Sequence, residues 1–305
     1  MIHLILFSII LPIFILITIG MLFEQAFHPD MDTLSKLNFY ILVPAIVFIK
    51  MIETELDASL LLVIGVFATI HFFTVFACSF FIFSFKRFRE KRIVLSLGSS
   101  FSNSGNYGIP FTLFAFGDSF IDIIAVIMIM QNIIMFSFGI WLMERGRGTW
   151  KEVLKRFSKI PVIYAVIAGL FLRWFEIDLI PQVKDPLTYL ADAVIAIALI
   201  TLGAKLARSK VKEHLVHPLL STVVRLIVSP LIAVPLVLLF DFSIQVNAML
   251  IVTAGLPTAV NTYILAQQYK KNEDVASQSI FWSTLLSAIS LTVLLVIFVD
   301  STTLA

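Results

Sequence analysis

The chain has 305 residues, 59% of them hydrophobic and 14% charged, with a formal net charge of +2. A mean hydropathy of +1.00 excludes a soluble globular domain, in which about a quarter of the residues carry charge. Such a chain needs lipid as its solvent, and its single cysteine, Cys78, sits in an apolar run and leaves no intrachain disulfide or zinc spacing.

Each bilayer crossing needs roughly 20 apolar residues. Apolar runs bounded by charges and turn residues predict ten helical spans, at 3–23, 34–52, 60–85, 92–116, 120–143, 160–175, 186–207, 218–240, 245–268 and 275–299. The connections are too short for a soluble domain, so residues 1–305 read as a single transmembrane domain. The first span has no basic segment before it and no small-residue cleavage site after it, and is expected to be retained rather than removed as a signal peptide.

Basic residues sort by loop. Lys36 precedes the second span, and Lys86, Arg87, Arg89, Lys91 and Arg92 follow the third. Arg145, Arg147, Lys151, Lys155, Arg156 and Lys159 separate the fifth from the sixth, Lys205, Arg208, Lys210 and Lys212 end the seventh, and Lys270 and Lys271 follow the ninth. The intervening loops carry acids: Glu53, Glu55 and Asp57, then Asp118 and Asp122, then Glu176, Asp178 and Asp185. The positive-inside rule places the basic loops in the cytoplasm. Both termini are then extracytoplasmic, which demands an even number of crossings, and the expected location is the inner (plasma) membrane. The basic runs read as topology signals and contacts to anionic membrane lipid, with no nucleic-acid partner.

The halves resemble each other. The first span carries Pro12 and Gly20 and the sixth carries Pro161 and Gly169, the same spacing at an offset of 149 residues. An odd number of spans per copy inverts the second copy, so the pattern predicts two inverted five-helix repeats, about 1–145 and 158–305. Secondary transporters are commonly built this way.

The fourth and ninth spans depart most from the apolar pattern. The fourth holds Ser102, Asn103, Ser104, Asn106, Gly108 and Pro110; the ninth holds Gly255, Pro257, Thr258 and Asn261. Proline removes a backbone donor and clashes with the preceding turn, so Pro110 and Pro257 are expected to keep these helices broken. Broken helices in lipid are tolerated only against protein or a water-filled cavity, and a matched pair points to a midplane transport site. Helix N-termini there would suit an anion, and Asn103, Asn106, Asn261 and Thr258 could bond its polar groups. Ionisable residues within spans add candidates: Arg225 for the anion path, and His71 and Asp192 for ion or proton coupling. The polar pair Gln131 and Asn132 lies near the middle of the fifth span.

Asn103 with Gly108-Ile109-Pro110 resembles the fourth-span motif of the auxin efflux carrier family, which includes bacterial permeases. Ile160-Pro161 through Ile180-Pro181, Thr201-Leu202-Gly203-Ala204-Lys205-Leu206, Arg225 through Pro230, and Gly255-Leu256-Pro257-Thr258 with Leu265, Ala266 and Tyr269 resemble its sixth to ninth spans in order. The resemblance covers most of the chain. It implies ten helices in two inverted repeats, a crossover of spans 4 and 9, and movement of organic anions. The long central loop of many plant members is absent, which favours a small carboxylate such as malate or malonate over an auxin-like acid.

The expectation is therefore an all-α polytopic membrane protein that moves a small organic anion by alternating access. Substrate-binding candidates are Asn103, Asn106, Gly108, Pro110, Pro257, Thr258, Asn261 and Arg225. No cofactor or metal is expected; H+ or Na+ is the candidate coupling ion, and a homodimer is left open. An anion channel and a non-transporting receptor are the alternatives. A membrane-embedded enzyme would need a nucleophile with its base, a metal cluster or paired carboxylates, and no such motif is present.

Overall fold

The computed structural model describes residues 2–54, 56–144, 158–209 and 215–299. Glu55, Arg145, Arg147, Lys151, Lys155, Arg156, Lys210 and Lys212, and both chain ends, lie outside the described residues. Among the described residues the regular elements are all helices, joined by turns and by one isolated β-bridge.

Among the described residues, seven helices are long and apolar enough to cross a membrane: α1 (Ile2–Phe27), α2 (Met31–Glu53), α3 (Ala58–Ile82), α6 (Asp118–Met143), α8 (Pro181–Ala207), α9 (Val216–Val237) and α12 (Glu273–Phe298). The other three predicted spans have a different form. The fourth is divided into α4 (Arg92–Ser100) and α5 (104–116), and the ninth into α10 (Ile244–Thr253) and α11 (Val260–Gln268). The sixth is α7 (Pro161–Trp174), whose 14 residues make about 21 Å of helix against a hydrocarbon core of about 30 Å.

Four of the eleven prolines act through wide turns rather than breaks. Pro12, Pro44, Pro110 and Pro230 each come after a π-helical stretch with one residue between, at 5–10, 38–42, 104–108 and 224–228. A proline ring cannot accept the i−4 geometry and has no N–H to give, so the ladder widens ahead of it. Asp30 starts α2 as its N-cap, accepting from the Asp32 amide at 3.0 Å and from the Thr33 hydroxyl at 2.5 Å. The Thr33 and Asp32 bonds hold its carboxyl below the usual carboxylate range.

The helices sort into two bundles. α1 packs along α8 and α7 along α2, with α2 also on α8. The second bundle places α3 against α4, α6 and α9, and α12 against α4, α9, α10 and α11. Small residues set the spacing of the first bundle. A Cβ added at Gly20 would overlap the Ile200 carbonyl oxygen, and one at Gly203 would overlap the Ile17 carbonyl oxygen. A Cβ at Gly169 would lie 2.6 Å from the Met51 Cβ and 2.9 Å from the Phe48 carbonyl oxygen.

Polar contacts group the turns at two ends. At one end Arg208 donates to Glu24 at 2.7 Å and to the Pro29 carbonyl at 2.8 Å, Lys271 donates to the Met143 carbonyl at 2.6 Å, and Asn272 reaches the Glu90 carbonyl at 3.3 Å. At the other, Lys50 pairs with Asp118 at 3.1 Å, Lys184 with Glu53 at 2.9 Å, and Arg173 donates to the Leu56 carbonyl at 2.7 Å.

Gly203→Val should push α1 off α8, because the obstacle is backbone rather than a movable side chain; overpacking of this kind costs about 1–3 kcal/mol or more. The expected result is a lower melting temperature and less monodisperse protein in detergent. Gly65→Ala is the control, since its Cβ would make an ordinary 3.5 Å contact with the Met130 side chain and should leave the melting temperature unchanged.

Candidate functional site

The two interruptions face each other. Residues 101–103 and 257–259 leave the helical conformation and run antiparallel, with Ser102 opposite Thr258. The Asn103 amide donates to the Pro257 carbonyl at 2.8 Å, and the Ala259 amide donates to the Phe101 carbonyl at 3.0 Å. The remaining amides find side chains: Ser102 N–H donates to Gln131 Oε1 at 2.9 Å, and Thr258 N–H to Ser283 Oγ at 3.0 Å. Gln131 Nε2 also donates to Ser102 Oγ at 2.8 Å. Each break thus supplies partners that the other lacks, as burial in a membrane requires.

Two helix C-termini converge here, those of α4 and α10, and their last carbonyls point at Arg225. The guanidinium, 1% exposed, donates to the Ser100 carbonyl at 2.8 Å and the Ser99 carbonyl at 3.3 Å, to Ser229 Oγ at 2.6 Å, and to the Ala254 carbonyl. Ser229 Oγ donates to the same Ala254 carbonyl at 2.8 Å. A cation is favoured at helix C-termini, where partial negative charge collects. His71 lies behind this cluster, its Nε2 3.0 Å from the Ser229 carbonyl.

The matching N-termini, those of α5 and α11, border a cavity of about 330 Å³ between the two bundles. Its walls include Ser102, Asn103, Ser104 and Asn106 from the first break, Val260 and Asn261 from the second, Gln131 and Asn132 from α6, and Asn38, Thr201 and Lys205 from α2 and α8. Asn38 Nδ2 donates to Asn106 Oδ1 at 2.8 Å, linking the bundles. Asn103 is 5% exposed and its Nδ2 has no hydrogen-bond partner among the described residues. A buried amide donor left unpaired costs about 1–3 kcal/mol unless something fills its place. Partial positive charge at both N-termini and a free amide donor suit an oxyanion.

The predicted site residues divide accordingly. Asn103, Asn106 and Asn261 line the cavity together. Thr258 does not: its hydroxyl donates to the Gly98 carbonyl at 2.8 Å, which pins the second break to α4. Pro257 contributes its carbonyl to the bridge, and Gly108 is packed against Leu256, where a Cβ would lie 3.0 Å from Cδ1. Pro110 does not make the break. It sits inside the helical segment Ile109–Phe116, and the break lies at 101–103, where no proline is present. Arg225 is turned away from the cavity onto the carbonyls. His71 is equally remote, and Asp192 is exposed on the outside of α8. Asn38, Thr201 and Lys205 escaped sequence reasoning because polar residues near span ends show no direction; Gln131 carried a signal, as part of a polar pair in mid-span.

The membrane transport protein family matches the chain over residues 4–153 and 147–295. An uncharacterized transporter of Methanocaldococcus jannaschii is 25% identical over 299 residues, covering 92% of this chain and 94% of the relative. A second, from Methanothermobacter thermautotrophicus, is 25% identical over 282 residues, 91% of each chain. A Rhizobium meliloti protein that bears the name "Putative malonate transporter" is 26% identical over 306 residues, 94% of each chain.

Replacing Arg225 should act on the crossover and not on ligand contacts. Arg225→Met leaves the Ser99, Ser100 and Ala254 carbonyls short of donors and should lower the melting temperature strongly; Arg225→Lys, with one ammonium in place of a fork, should fall between Met and the parent. Among variants that remain folded, thermal shift and ligand titration together should show lost stability with an unchanged Kd.

Proposed function

The chain belongs to the membrane transport protein family, that of the auxin efflux carriers, and from that premise we propose that it is a secondary transporter of a small organic anion working by alternating access. The observation that carries the reading is the cavity at the crossover, where two helix N-termini and the unpaired Asn103 amide meet. Asn103, Asn106 and Asn261 would contact the substrate; Pro257, Thr258, Gly108 and Arg225 would hold the helices that carry them. Pro110 would set the wide turn of α5. The name of the Rhizobium meliloti relative supports a carboxylate.

Ten crossings in two inverted repeats, about 1–145 and 158–305, belong to the same proposal. Two observations support it. The basic turns gather at one end of the helices and the acidic turns at the other, as alternation of ten spans requires. The matched glycines also make equivalent contacts: Gly20 abuts Ile200 and Gly169 abuts Met51, and both Gly20 to Gly169 and Met51 to Ile200 are separations of 149 residues. The cavity reaches Lys36 and Lys205 at the basic end, so the state described would face the cytoplasm, with both chain ends extracytoplasmic in an inner (plasma) membrane.

Coupling to H+ or Na+ completes the transport cycle under this proposal. A proton on His71 would be felt at the crossover through Ser229, which bonds both His71 and Arg225. Asp192, exposed on α8 well inside the span, would be shielded from lipid in a homodimer.

Asn103→Ala should abolish carboxylate counterflow in proteoliposomes while leaving expression and melting temperature near those of the parent. Normal counterflow by that variant would remove the crossover cavity as the transport site.

A further inference from the structure

The cavity wall opposite the broken helices has polar groups of its own that nothing in the protein completes. Thr201 and Lys205 are four residues apart on α8, hence on one face, and both line the cavity. Thr201 is 1% exposed and its Oγ1 has no hydrogen-bond partner among the described residues. Lys205 is partly buried and makes no hydrogen bond or ion pair among the described residues. The neighbouring cations are otherwise engaged. Lys36 is paired with Asp32, Arg208 with Glu24, and Arg225 with the crossover carbonyls. The carboxylate that faces Lys205 on the cavity wall, Asp32, is the one paired with Lys36 at 2.5 Å, so Lys205 brings to the cavity an ammonium with no direct partner among the described residues, with a hydroxyl one turn away able to donate beside it.

Across the cavity stand the Asn103 amide and the two helix N-termini. Donors thus face each other from the two bundles, and an anion with a single charged end would satisfy one wall and leave the other unpaired. Sites with buried polar groups reject analogues that leave those groups without partners. A cavity of about 330 Å³ lies at the small end of the range for ligand sites, which suits a short molecule.

We infer that Thr201 and Lys205 form a second anion-recognising subsite on α8, which makes the transporter prefer a short dianion with a carboxylate at each end over a monoanion of the same length. This rests on the reading of the cavity as the transport site. Lys205 takes one carboxylate as an ion pair, Thr201 donates to the same group, and Asn103 receives the other end.

The test is uptake of labelled malonate and propionate by purified protein in proteoliposomes. The parent should favour malonate, and Lys205→Met should lower malonate kcat/KM by about tenfold or more with propionate unchanged. Lys205→Arg should keep the preference, and Thr201→Val, a substitution of similar volume, should weaken it less than Lys205→Met does. Retention of the preference by Lys205→Met, or an equal loss for both acids, overturns the subsite. Should that happen while Asn103→Ala still abolishes transport, the crossover site stands and only the subsite falls. If the folded parent moves neither acid, the subsite and the carboxylate reading fall together.

Discussion

The fold depends on how backbone left open in the middle of a membrane is satisfied. Lipid offers no hydrogen bonds, so neither the break at 101–103 nor that at 257–259 could exist alone. Two bonds join them, Asn103 amide to Pro257 carbonyl and Ala259 amide to Phe101 carbonyl, and Gln131 and Ser283 take the amides between. The carbonyls at the ends of α4 and α10 need a donor with several N–H groups in a fixed fork, and Arg225 is that donor. The arrangement also resolves the cost of burying a guanidinium, since it is surrounded by oxygens carrying partial negative charge.

Polarity in the rest of the site follows from that clamp. With both C-termini engaged by Arg225, the N-termini of α5 and α11 are left to border the cavity, and they bring Asn103, Asn106 and Asn261 with them. The cation that sequence reasoning assigned to the anion path thus acts at one remove, through the helices it caps. The charges on the cavity wall lie on the opposite bundle: Asp32 and Lys36, paired with each other, and Lys205.

The two bundles meet by contrasting means. Within the first, glycines bring α1 against α8 and α7 against α2 until backbone touches backbone, which leaves little freedom for sliding. Between the bundles the polar contacts include Lys50 with Asp118 at 3.1 Å, Ser209 with Ser277 at 2.8 Å and, at the cavity, Asn38 with Asn106 at 2.8 Å, which a small relative movement could exchange for a bond to ligand. The rigid part is therefore each bundle, and the adaptable part is the surface between them, where the cavity lies.

The amino-acid sequence by itself determined that the chain lives in a membrane, where its long helices run, which ends carry basic turns, and that spans 4 and 9 are exceptional. Those properties follow from composition and local pattern, because apolar length and loop charge act without reference to distant residues. It also pointed to Asn103, Asn106 and Asn261 as neighbours, because they lie in two interrupted spans at matching positions, which must find each other or a cavity within the membrane. The tertiary structure decided the rest. Proline was a poor guide to the break in span 4: Pro110 only widens a turn, and the break forms at 101–103 because span 9 supplies the partners there. The direction of Arg225, Thr201 and Lys205 was likewise invisible, since a side chain's face on a helix means nothing until the neighbouring helix, and the carbonyl or cavity it meets, is in place.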